Sequence, residues 1–520
     1  MMNVFILIGM GLYLFAMVCI GLWHSRRSNS SPEEYFLGKR GLGPWVAALS
    51  AEASDMSGWL LMGLPGVAYF TGSGEAFWTA VGLALGTLLN WILVAKRLRS
   101  YSQNADNAIT LPDFFSKRFH DNNHILSIIA ALIILVFFSI YVGSQFIAFG
   151  KLFSYVFSAD QYVTMVILGA FLVMLYTFLG GFLAESMTDL IQGILMFFSL
   201  IVVLVTGFIV SGGFAGIAER VQDFPRFLDI FGIATPTVQD GVQTVINGIP
   251  QFGSGSPYSL LNIISCLAWG LGYFGMPQVL LRFMAINRVS QVRTSSIIAV
   301  TWCFISLFAA VSIGLIGRAY LPDLLRTAGS SETIFLELAT RFFPPLVAGL
   351  ILSGVLAASM SSADSYMLIA SSALAHDLVK GLFKKNASET FVLWVARVSI
   401  LVVTVFGVGI ALSDNSSIFE IVSYAWAGFG AAFGPLILFS LFWRRTTLAG
   451  AIGGMLSGGA MVIIWKQFIS KAGGIFAVYE LLPAFIISSL VIFIGSLITP
   501  EPSLAIHKEF ERFQEKLNEH

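Results

Sequence analysis

Long apolar runs recur along this chain, and they restrict its fold more than any other feature. Stretches of about 20 residues with few charges return between residue 4 and residue 498. Each is long enough to cross a hydrocarbon core of roughly 30 Å as an α-helix. Charged residues make up only 11% of the 520 residues, less than half of the share of about 25% that is usual in soluble domains. The sequence therefore predicts an all-α polytopic membrane protein.

Thirteen such stretches can be separated, and we interpret each as one predicted span. They lie near residues 4–24, 43–70, 73–95, 125–155, 160–183, 187–211, 256–281, 291–317, 335–378, 391–412, 418–442, 447–469 and 479–498. The ninth is longer than one crossing needs, so we expect it to include an extension at each end. The first has no basic segment and no cleavage site, which predicts a retained helix rather than a signal peptide.

The distribution of charge predicts the orientation. Most of the 29 lysine and arginine residues fall in alternate connections and in the C-terminal tail. The positive-inside rule therefore predicts an N-terminus outside and a C-terminus in the cytosol. The tail places Ile506, Phe510, Phe513 and Leu517 at helical spacing. This spacing predicts an amphipathic helix that lies on the bundle or on the membrane.

Charge and cysteine usage argue against several functions. The 29 basic and 29 acidic residues cancel, which does not suggest a surface for nucleic acid. Cys19, Cys266 and Cys303 lie in apolar segments without paired spacing, so we expect core packing rather than disulfides or a zinc site. No phosphate-binding Walker loop occurs, so ATP is not the expected energy source. Nothing in the sequence indicates an enzyme.

Two of the predicted spans are interrupted at corresponding places. The second contains ASDMSG (Ala53–Gly58), and the seventh contains LAWGLGYFGMPQ (Leu267–Gln278). Each opens a set of five helices, and the two sets have opposite orientations. Matched breaks in inverted repeats indicate a transporter binding site, because lipid cannot satisfy the exposed backbone groups. The alternative is that the glycines only allow close helix packing.

A third polar cluster lies in the ninth span, within SGVLAASMSSADSYMLIASSALAHDL (Ser353–Leu378). Ala358, Ser361 and either Asp364 or Ser365 recur on one helix face. Serine hydroxyls can simply bond to the preceding turn, but a carboxylate on the same face favours a hydrated ion path. Carbonyls from a broken helix and hydroxyls from a second helix offer the oxygen ligands that suit Na⁺.

Six stretches carry a more specific pattern. They are EEYFLGKRGLGPW (Glu33–Trp45), ASDMSGWLLMGLPG (Ala53–Gly66), NAITLPDFFSKRF (Asn107–Phe119), YTFLGGFLAESMTDLIQG (Tyr176–Gly193), WGLGYFGMPQVLLRFMA (Trp269–Ala285) and the Ser353–Leu378 stretch. Together they resemble the sodium:solute symporter family, and within it the members that transport proline. The resemblance implies a LeuT-type fold, with spans 2–11 as a 5+5 inverted repeat and spans 1, 12 and 13 at its periphery.

On this basis we divide the chain into six parts. Residues 1–42 are the first span and a cytosolic loop, 43–211 the first repeat, 212–255 an external loop, 256–443 the second repeat, 444–498 two peripheral spans and 499–520 a cytosolic tail.

The resemblance also implies the residues of an ion site. Sodium would be held by three carbonyls and two hydroxyls, those of Ala53, Met56, Ala358, Ser361 and Ser362.

Four further residues are implied near the path of the ion. Asp55 would tune ion affinity or coupling, and Arg40 would belong to an inner gate. Asp189 would line the exit path or cap the sixth span. Asp364 would mark a second cation site or play a serine-bonded structural role. Glu52 matches no implied role, and it leaves open whether H⁺ can replace Na⁺.

The implied substrate site consists of Ser57, Gly58, Trp59, Tyr141, Trp269, Tyr273 and Pro277. Trp269 and Tyr273 lie four residues apart, so a helix presents both rings to one side, which suits a compact pyrrolidine ring. A carboxylate would meet N–H groups at a half-helix N-terminus. The alternative for such an aromatic pair is packing in the core or against lipid.

The function that the resemblance implies is import of L-proline, coupled to inward Na⁺ flow, across the inner membrane of a bacterium. One alternative is a sodium- or proton-coupled symporter of another small carboxylate or nutrient. A membrane sensor of the same fold and a channel are the others. No obligate protein partner is implied.

Overall fold

The structure, a computed structural model, describes residues 2–25, 32–158, 161–179, 181–383, 387–412 and 416–519. Within these ranges, nine helices are long and apolar enough to cross a membrane, or ten when one bent pair is counted as a single span. Two further apolar helices, Val4–Ile20 and Tyr162–Phe178, are shorter. The prediction of an α-helical membrane protein is confirmed.

The N-terminal part is built from helices that are joined in places by short 3₁₀ or π-helical turns. The helices are α1 (Met2–Ser25), α2 (Pro32–Leu37), α3 (Pro44–Gly58), α4 (Leu64–Thr71), α5 (Ser73–Asn90), α6 (Lys96–Asn104), α7 (Leu111–Arg118), α8 (Ile125–Phe157), α9 (Tyr162–Leu179), α10 (Phe182–Val210) and α11 (Gly213–Val221). The joining turns are Gly38–Arg40, Trp59–Gly63 and Trp91–Ala95. The predicted second span is therefore divided between α3 and α4.

The C-terminal part has the same character. Its helices are α12 (Leu260–Leu267), α13 (Pro277–Ala285), α14 (Val292–Tyr320), α15 (Ala328–Ser331), α16 (Ile334–Phe342), α17 (Pro345–Ser372), α18 (Glu389–Ile410), α19 (Ile418–Phe442), α20 (Leu448–Ile464), α21 (Leu481–Ile498) and α22 (Leu504–Glu519). Its 3₁₀ or π-helical turns are Ala268–Gly275, Val289–Gln291, Ala373–Phe383, Trp465–Ile469, Ser470–Ala472 and Gly474–Ala477. The long ninth predicted span is two helices, α16 and α17, because Pro344 and Pro345 interrupt it.

The connection after α11 folds into three two-stranded antiparallel pairs. They are β1 (Gly232–Ile233) with β6 (Ser256–Pro257), β2 (Val238–Gln239) with β3 (Val242–Gln243), and β4 (Val245–Ile246) with β5 (Ile249–Pro250). Arg318, near the end of α14, holds this connection against the helices. Its guanidinium lies 4.9 Å from the centre of the Phe252 ring and donates to Gln243 Oε1 at 2.6 Å.

Helix α17 lies at the centre of the packing, in contact with α1, α3, α8 and α10. Every residue from Ile351 to Ser372 is buried. Small side chains let the neighbouring helices approach closely. A Cβ added at Gly354, for example, would lie 2.6 Å from Ser199 Oγ of α10. The polar face of α17 is therefore turned into the bundle rather than towards lipid.

The C-terminal tail forms the predicted amphipathic helix, α22, and its apolar face lies against α6. The Phe513 ring stacks on the Tyr101 ring with the centres 4.4 Å apart, and Phe510 is also buried. Lys516 Nζ donates to Asn104 Oδ1 at 2.8 Å. Of the two places that the sequence allows for this helix, the structure shows the one on the bundle.

Gly86 of α5 and Gly270 pack backbone against backbone, so a side chain at Gly86 should destabilise the fold. A Cβ at Gly86 would lie only 2.4 Å from the Gly270 carbonyl oxygen. We expect Gly86→Ala to lower the free energy of unfolding by about 2 kcal/mol, because neither backbone can move aside. The measurement is the apparent Tm of the purified protein. Gly409→Ala on α18, where nothing lies within 4 Å of the added Cβ, is the control; equal Tm values for the two variants would contradict the contact.

Candidate functional site

The break in the second span is narrower than the sequence predicts. Helix α3 keeps helical backbone angles through Met56, and the chain departs from them at Ser57, where φ is 44° and ψ is −171°. A positive φ is unfavourable for a residue with a Cβ, so contacts from other helices must hold it in place. The π-helical turn Trp59–Gly63 follows directly.

Four of the five implied sodium ligands meet where α17 packs against α3, one turn before this break. Ser361 Oγ donates to the Ala53 carbonyl at 2.9 Å and to the Ala358 carbonyl at 3.1 Å. Ser362 Oγ donates to the Ala53 carbonyl at 3.3 Å. The fifth ligand, the Met56 carbonyl, accepts a hydrogen bond from the amide of the residue three positions on. No described hydrogen bond joins it to the other four.

The chemistry of this group fits a small, singly charged cation. Three hydrogen bonds link two carbonyl and two hydroxyl oxygens, and both serines are fully buried. A hydroxyl that now donates to a carbonyl can turn its lone pairs to a cation, which the carbonyl then also binds. Neutral oxygen ligands suit Na⁺, whereas a divalent cation would require more carboxylates.

Two tyrosines donate hydrogen bonds to carbonyls near the C-terminal end of α3. Tyr366 of α17 donates to the Ser54 carbonyl at 2.9 Å. Tyr141 of α8 donates to the Asp55 carbonyl at 3.4 Å, and the two rings are 4.4 Å apart. The Asp55 carboxylate in turn accepts a hydrogen bond from Gln278 Nε2 at 3.1 Å. Asp55 therefore connects the two broken spans, and Tyr141 contacts the backbone of the break.

Gly58 lies tightly against α8 and α17. Its amide donates to Gln145 Oε1 at 3.0 Å. A Cβ added here would lie 2.8 Å from Ser359 Oγ and 3.0 Å from Ala148 Cβ. The break is thus packed on two sides, which explains how a strained backbone at its neighbour is maintained.

The seventh predicted span is also broken. A helical segment ends at Gly275, α13 begins at Pro277, and their axes are bent by 44°. Met276 between them is extended, with φ −74° and ψ 110°. Pro277 occupies the first turn of α13, where its missing N–H leaves no helical hydrogen bond unmade.

The implied substrate aromatics form a layer between the breaks. The Trp59 and Trp269 rings are 6.2 Å apart, and Tyr479 stacks on Trp269 at 5.3 Å. Trp426 Nε1 donates to the Trp269 carbonyl at 2.8 Å, and its ring meets Tyr273 edge-on at 5.0 Å. The sequence analysis missed Trp426 and Tyr479. The aromatic and glycine-rich run of α19 was a signal for Trp426, whereas nothing near Tyr479 marks it.

A cavity of about 450 Å³ lies beside this layer, a size typical of small-molecule sites. Trp269, Phe419 and Tyr479 form part of its wall. Its charged groups include Lys466 and Glu480, whose Nζ and Oε1 atoms are 3.8 Å apart. The cavity therefore offers a small polar molecule both aromatic surface and charges of either sign.

A buried ion pair borders the same cavity. Lys151 Nζ of α8 lies 2.6 Å from Glu332 Oε2, and the Glu332 carboxylate also accepts hydrogen bonds from the amides of Ile418 and Phe419 at 3.0 Å. It thereby ties the start of α19 to α8. The sequence analysis missed this pair, because its members are 181 residues apart and no local pattern joins them.

Asp189 belongs to a buried cluster around Arg282. Arg282 Nη2 donates to Asp189 Oδ2 at 3.1 Å and also contacts Glu185 Oε1. Ser50 Oγ donates to Asp189 Oδ2 at 2.7 Å. Helix α10 begins at Phe182, so Asp189 lies two turns inside it and is not a helix cap. The sequence analysis assigned no role to Arg282 or Glu185.

Asp364 and Glu52 have few partners. Asp364 Oδ1 accepts a hydrogen bond from the Ser365 amide at 2.8 Å. Both of the roles suggested for Asp364 stay predictions. Glu52 Oε1 accepts a hydrogen bond from Trp91 Nε1 at 3.4 Å, so its partner is an indole rather than a basic group.

Arg40 joins the end of α13 to the segment around α6. It donates to the carbonyls of Met284 at 2.5 Å and Ala108 at 2.7 Å, and to Ser102 Oγ at 3.0 Å. Burial, together with the nearby Arg99 guanidinium, lowers the pKa of Arg40 to about 10, so it stays protonated at neutral pH. A gating role for Arg40 stays a prediction.

Two broken helices that meet inside a helical bundle are typical of α-helical membrane transporters. The fold agrees with that class. A sodium-coupled sialic acid symporter, solved in a substrate-bound outward-open state, is 19% identical with a TM-score of 0.75 over 97% of this chain and 99% of its own. The nucleobase-cation-symport-1 transporter Mhp1 is 12% identical with a TM-score of 0.53 over 93% and 98%. Both have the LeuT-type fold.

The family follows from the sequence comparison. The model of the sodium:solute symporter family matches residues 35–458, and the chain belongs to that family. The osmoregulated proline transporter OpuE of Bacillus subtilis is 41% identical over 98% of this chain and 98% of its own. The sodium/proline symporter of Escherichia coli is 43% identical over 96% of this chain and 94% of its own.

Proposed function

We propose that this protein imports L-proline together with Na⁺. The observation that carries the proposal is the meeting of Ala53, one turn before the break in α3, with Ser361 and Ser362. It gathers the neutral oxygens that a singly charged cation requires. Two relatives that align over nearly the whole chain, named a proline transporter and a sodium/proline symporter, support both cargoes.

We also propose thirteen spans, with the N-terminus outside and the C-terminus in the cytosol of a bacterium. The nine long helices, the bent pair, the two shorter apolar helices and the broken α3–α4 span together account for that number. In this arrangement residues 43–211 and 256–443 are the inverted five-helix repeats. Residues 212–255 lie outside, residues 499–520 lie in the cytosol, and residues 1–42 and 444–498 supply the peripheral spans.

In this proposal Na⁺ replaces the hydrogen bonds between the serines and the Ala53 carbonyl. The Met56 carbonyl now accepts a hydrogen bond from the Trp59 amide. It becomes the fifth ligand when it gives up this bond and turns to the ion. The ion then joins α3 to α17 and restrains the break.

Proline would bind where the restrained break faces the second one. The proposed contacts are Ser57, Gly58, Trp59, Tyr141, Trp269, Tyr273 and Pro277. Asp55 connects the two breaks through Gln278. Bound Na⁺ orders the break in α3, and proline binds only to the ordered form of this segment. Each ligand therefore increases the affinity for the other. An inward movement of one charge supplies about 2.3 kcal/mol per 100 mV of membrane potential.

The test is uptake of labelled L-proline into proteoliposomes that contain the purified protein. We expect an inward Na⁺ gradient to accelerate uptake by about tenfold over an equal K⁺ gradient, the effect of roughly 1.4 kcal/mol. Liposomes without protein are the control. Uptake driven by a pH gradient without Na⁺ would favour the proton-coupled alternative. If excess proline does not compete but another small carboxylate is taken up, the cargo is wrong and the transporter class stands.

A further inference from the structure

A buried arginine occupies the space one helical turn beyond the proposed sodium ligands. On α3, Ser50 precedes Ala53 by three residues. On α17, Ser365 follows Ser361 by four residues, so each pair is one turn apart on its helix. Arg282 of α13 donates to both of the farther serines, through Nε to Ser50 Oγ at 3.0 Å and through Nη2 to Ser365 Oγ at 2.8 Å. The guanidinium therefore fills the space between α3 and α17 next to the ion site.

The carboxylates around Arg282 outnumber it. Arg282 pairs with Glu185 and Asp189. Asp364 directly precedes Ser365, whose hydroxyl contacts both Arg282 and Glu185. None of these carboxylates is more than 5% exposed. Among the described residues, one oxygen of each, Glu185 Oε2, Asp189 Oδ1 and Asp364 Oδ2, has no hydrogen-bond partner. Buried carboxylate oxygens without partners are unfavourable, so the cluster is complementary to one further cation.

Glu185 and Asp189 thus already hold one cation, the Arg282 guanidinium, one helical turn beyond the proposed sodium ligands. We propose that Arg282 closes the cytosolic path as a tethered cation on Glu185 and Asp189, and that Na⁺ leaving Ser361 opens the path by displacing it. The inference rests on the proposed coupling to sodium. It assigns to Arg282 a positioning role for the release step.

Four helices depend on this guanidinium. It ties α13 to α10 through the carboxylates, and to α3 and α17 through Ser50 and Ser365. When Na⁺ takes over the carboxylates, the charge that holds the guanidinium is neutralised, and α13 is free to separate from α3. The return of Arg282 then lowers the affinity of the cluster for Na⁺, which favours release of the ion and prevents its return.

The test compares the two sides of the membrane in right-side-out vesicles loaded with known Na⁺ concentrations. Without the arginine charge, internal Na⁺ should occupy the free carboxylates more readily. For Arg282→Gln we expect the internal Na⁺ concentration that halves proline uptake to fall by about tenfold. The external Na⁺ concentration for half-maximal uptake should change by no more than roughly threefold, because the ligands at Ser361 are intact. Arg282→Lys keeps the charge and should stay within about threefold of the wild type on both sides.

Arg118→Gln is the matched control. Arg118 is equally buried, but its Nε donates to the main-chain carbonyl of Ser440 at 3.2 Å rather than to a carboxylate. This variant should leave both sodium concentrations unchanged. Unchanged internal sensitivity in Arg282→Gln, or equal shifts in Arg282→Lys or Arg118→Gln, would overturn the inference.

A double variant and the wild-type protein distinguish a folding failure, a wrong role for Arg282 and a wrong proposed function. If Arg282→Gln does not reach the membrane, the double variant with Glu185→Gln removes one charge of each sign, and its internal sensitivity should still increase by about threefold. No increase there would also overturn the inference. A wild-type protein without sodium-driven uptake contradicts the proposed function itself. Normal wild-type uptake with an unshifted Arg282→Gln contradicts only the role of Arg282.

Discussion

Ser361→Ala is expected to raise the external Na⁺ concentration for half-maximal proline uptake by about 30-fold, the effect of roughly 2 kcal/mol. The Ser361 hydroxyl reaches the Ala53 carbonyl of α3 at 2.9 Å and the Ala358 carbonyl of its own helix at 3.1 Å, so it makes the shorter of the two serine contacts that join α17 to α3 at the proposed ion site. An alanine leaves the cation one oxygen short in a buried place that water cannot easily supply. The measurement is a sodium titration of the initial uptake rate.

Two variants distinguish a ligand from a packing role. Ser361→Thr keeps the hydroxyl and should remain within about threefold of the wild type. Ser353→Ala lies two turns away on the same helix, and its hydroxyl donates only to the Gly349 carbonyl of its own helix at 2.8 Å. It should leave the titration unchanged. If Ser361→Ala lowers the maximal rate at an unchanged half-saturating concentration, the hydroxyl packs the helices and does not bind the ion.

The α-helical membrane character was predictable because length and hydropathy alone decide whether a helix can cross a membrane. The positions of the two breaks were also predictable, since the polar ASDMSG stretch (Ala53–Gly58) marks the first and Gly270, Gly272 and Pro277 mark the second. The width of the first break was not. Only Ser57 has left helical geometry there, held by contacts from α8 and α17 that local sequence does not encode. The two prolines at the start of α17, Pro344 and Pro345, were a visible signal that the thirteen-span prediction did not use.

The contacts among the site residues were also predictable only in part. Ser361 and Ala53 are 308 residues apart, and only the family resemblance suggested that they meet. Arg282 lies within one of the motifs that carry the resemblance, yet nothing in that motif pairs it with Glu185, 97 residues earlier. Buried ion pairs between distant helices are decided by tertiary packing, so a single sequence contains no local signal for them.

Trp269→Ala is expected to weaken proline binding by about 30-fold in Kd, measured at saturating Na⁺. Trp269 lies between Trp59 at 6.2 Å and Tyr479 at 5.3 Å, and only 4% of it is exposed. Removal of the indole takes away the apolar surface of one of the two tryptophans among the proposed contacts, for which a loss of about 2 kcal/mol is typical. Trp269→Phe should recover most of the affinity. Trp394→Ala on α18, where the side chain is 60% exposed, is the control and should bind as the wild type does.

The rates of binding decide between two roles for this tryptophan. Trp269 also forms part of the wall of the 450 Å³ cavity, so it could separate that cavity from the bound substrate without touching the substrate. A separating wall would change the rates of entry and exit together and leave Kd unaltered. A direct contact would accelerate dissociation alone, since the encounter does not depend on it. An unaltered Kd in Trp269→Ala with both rates increased would therefore remove Trp269 from the substrate site and make it part of the route into it.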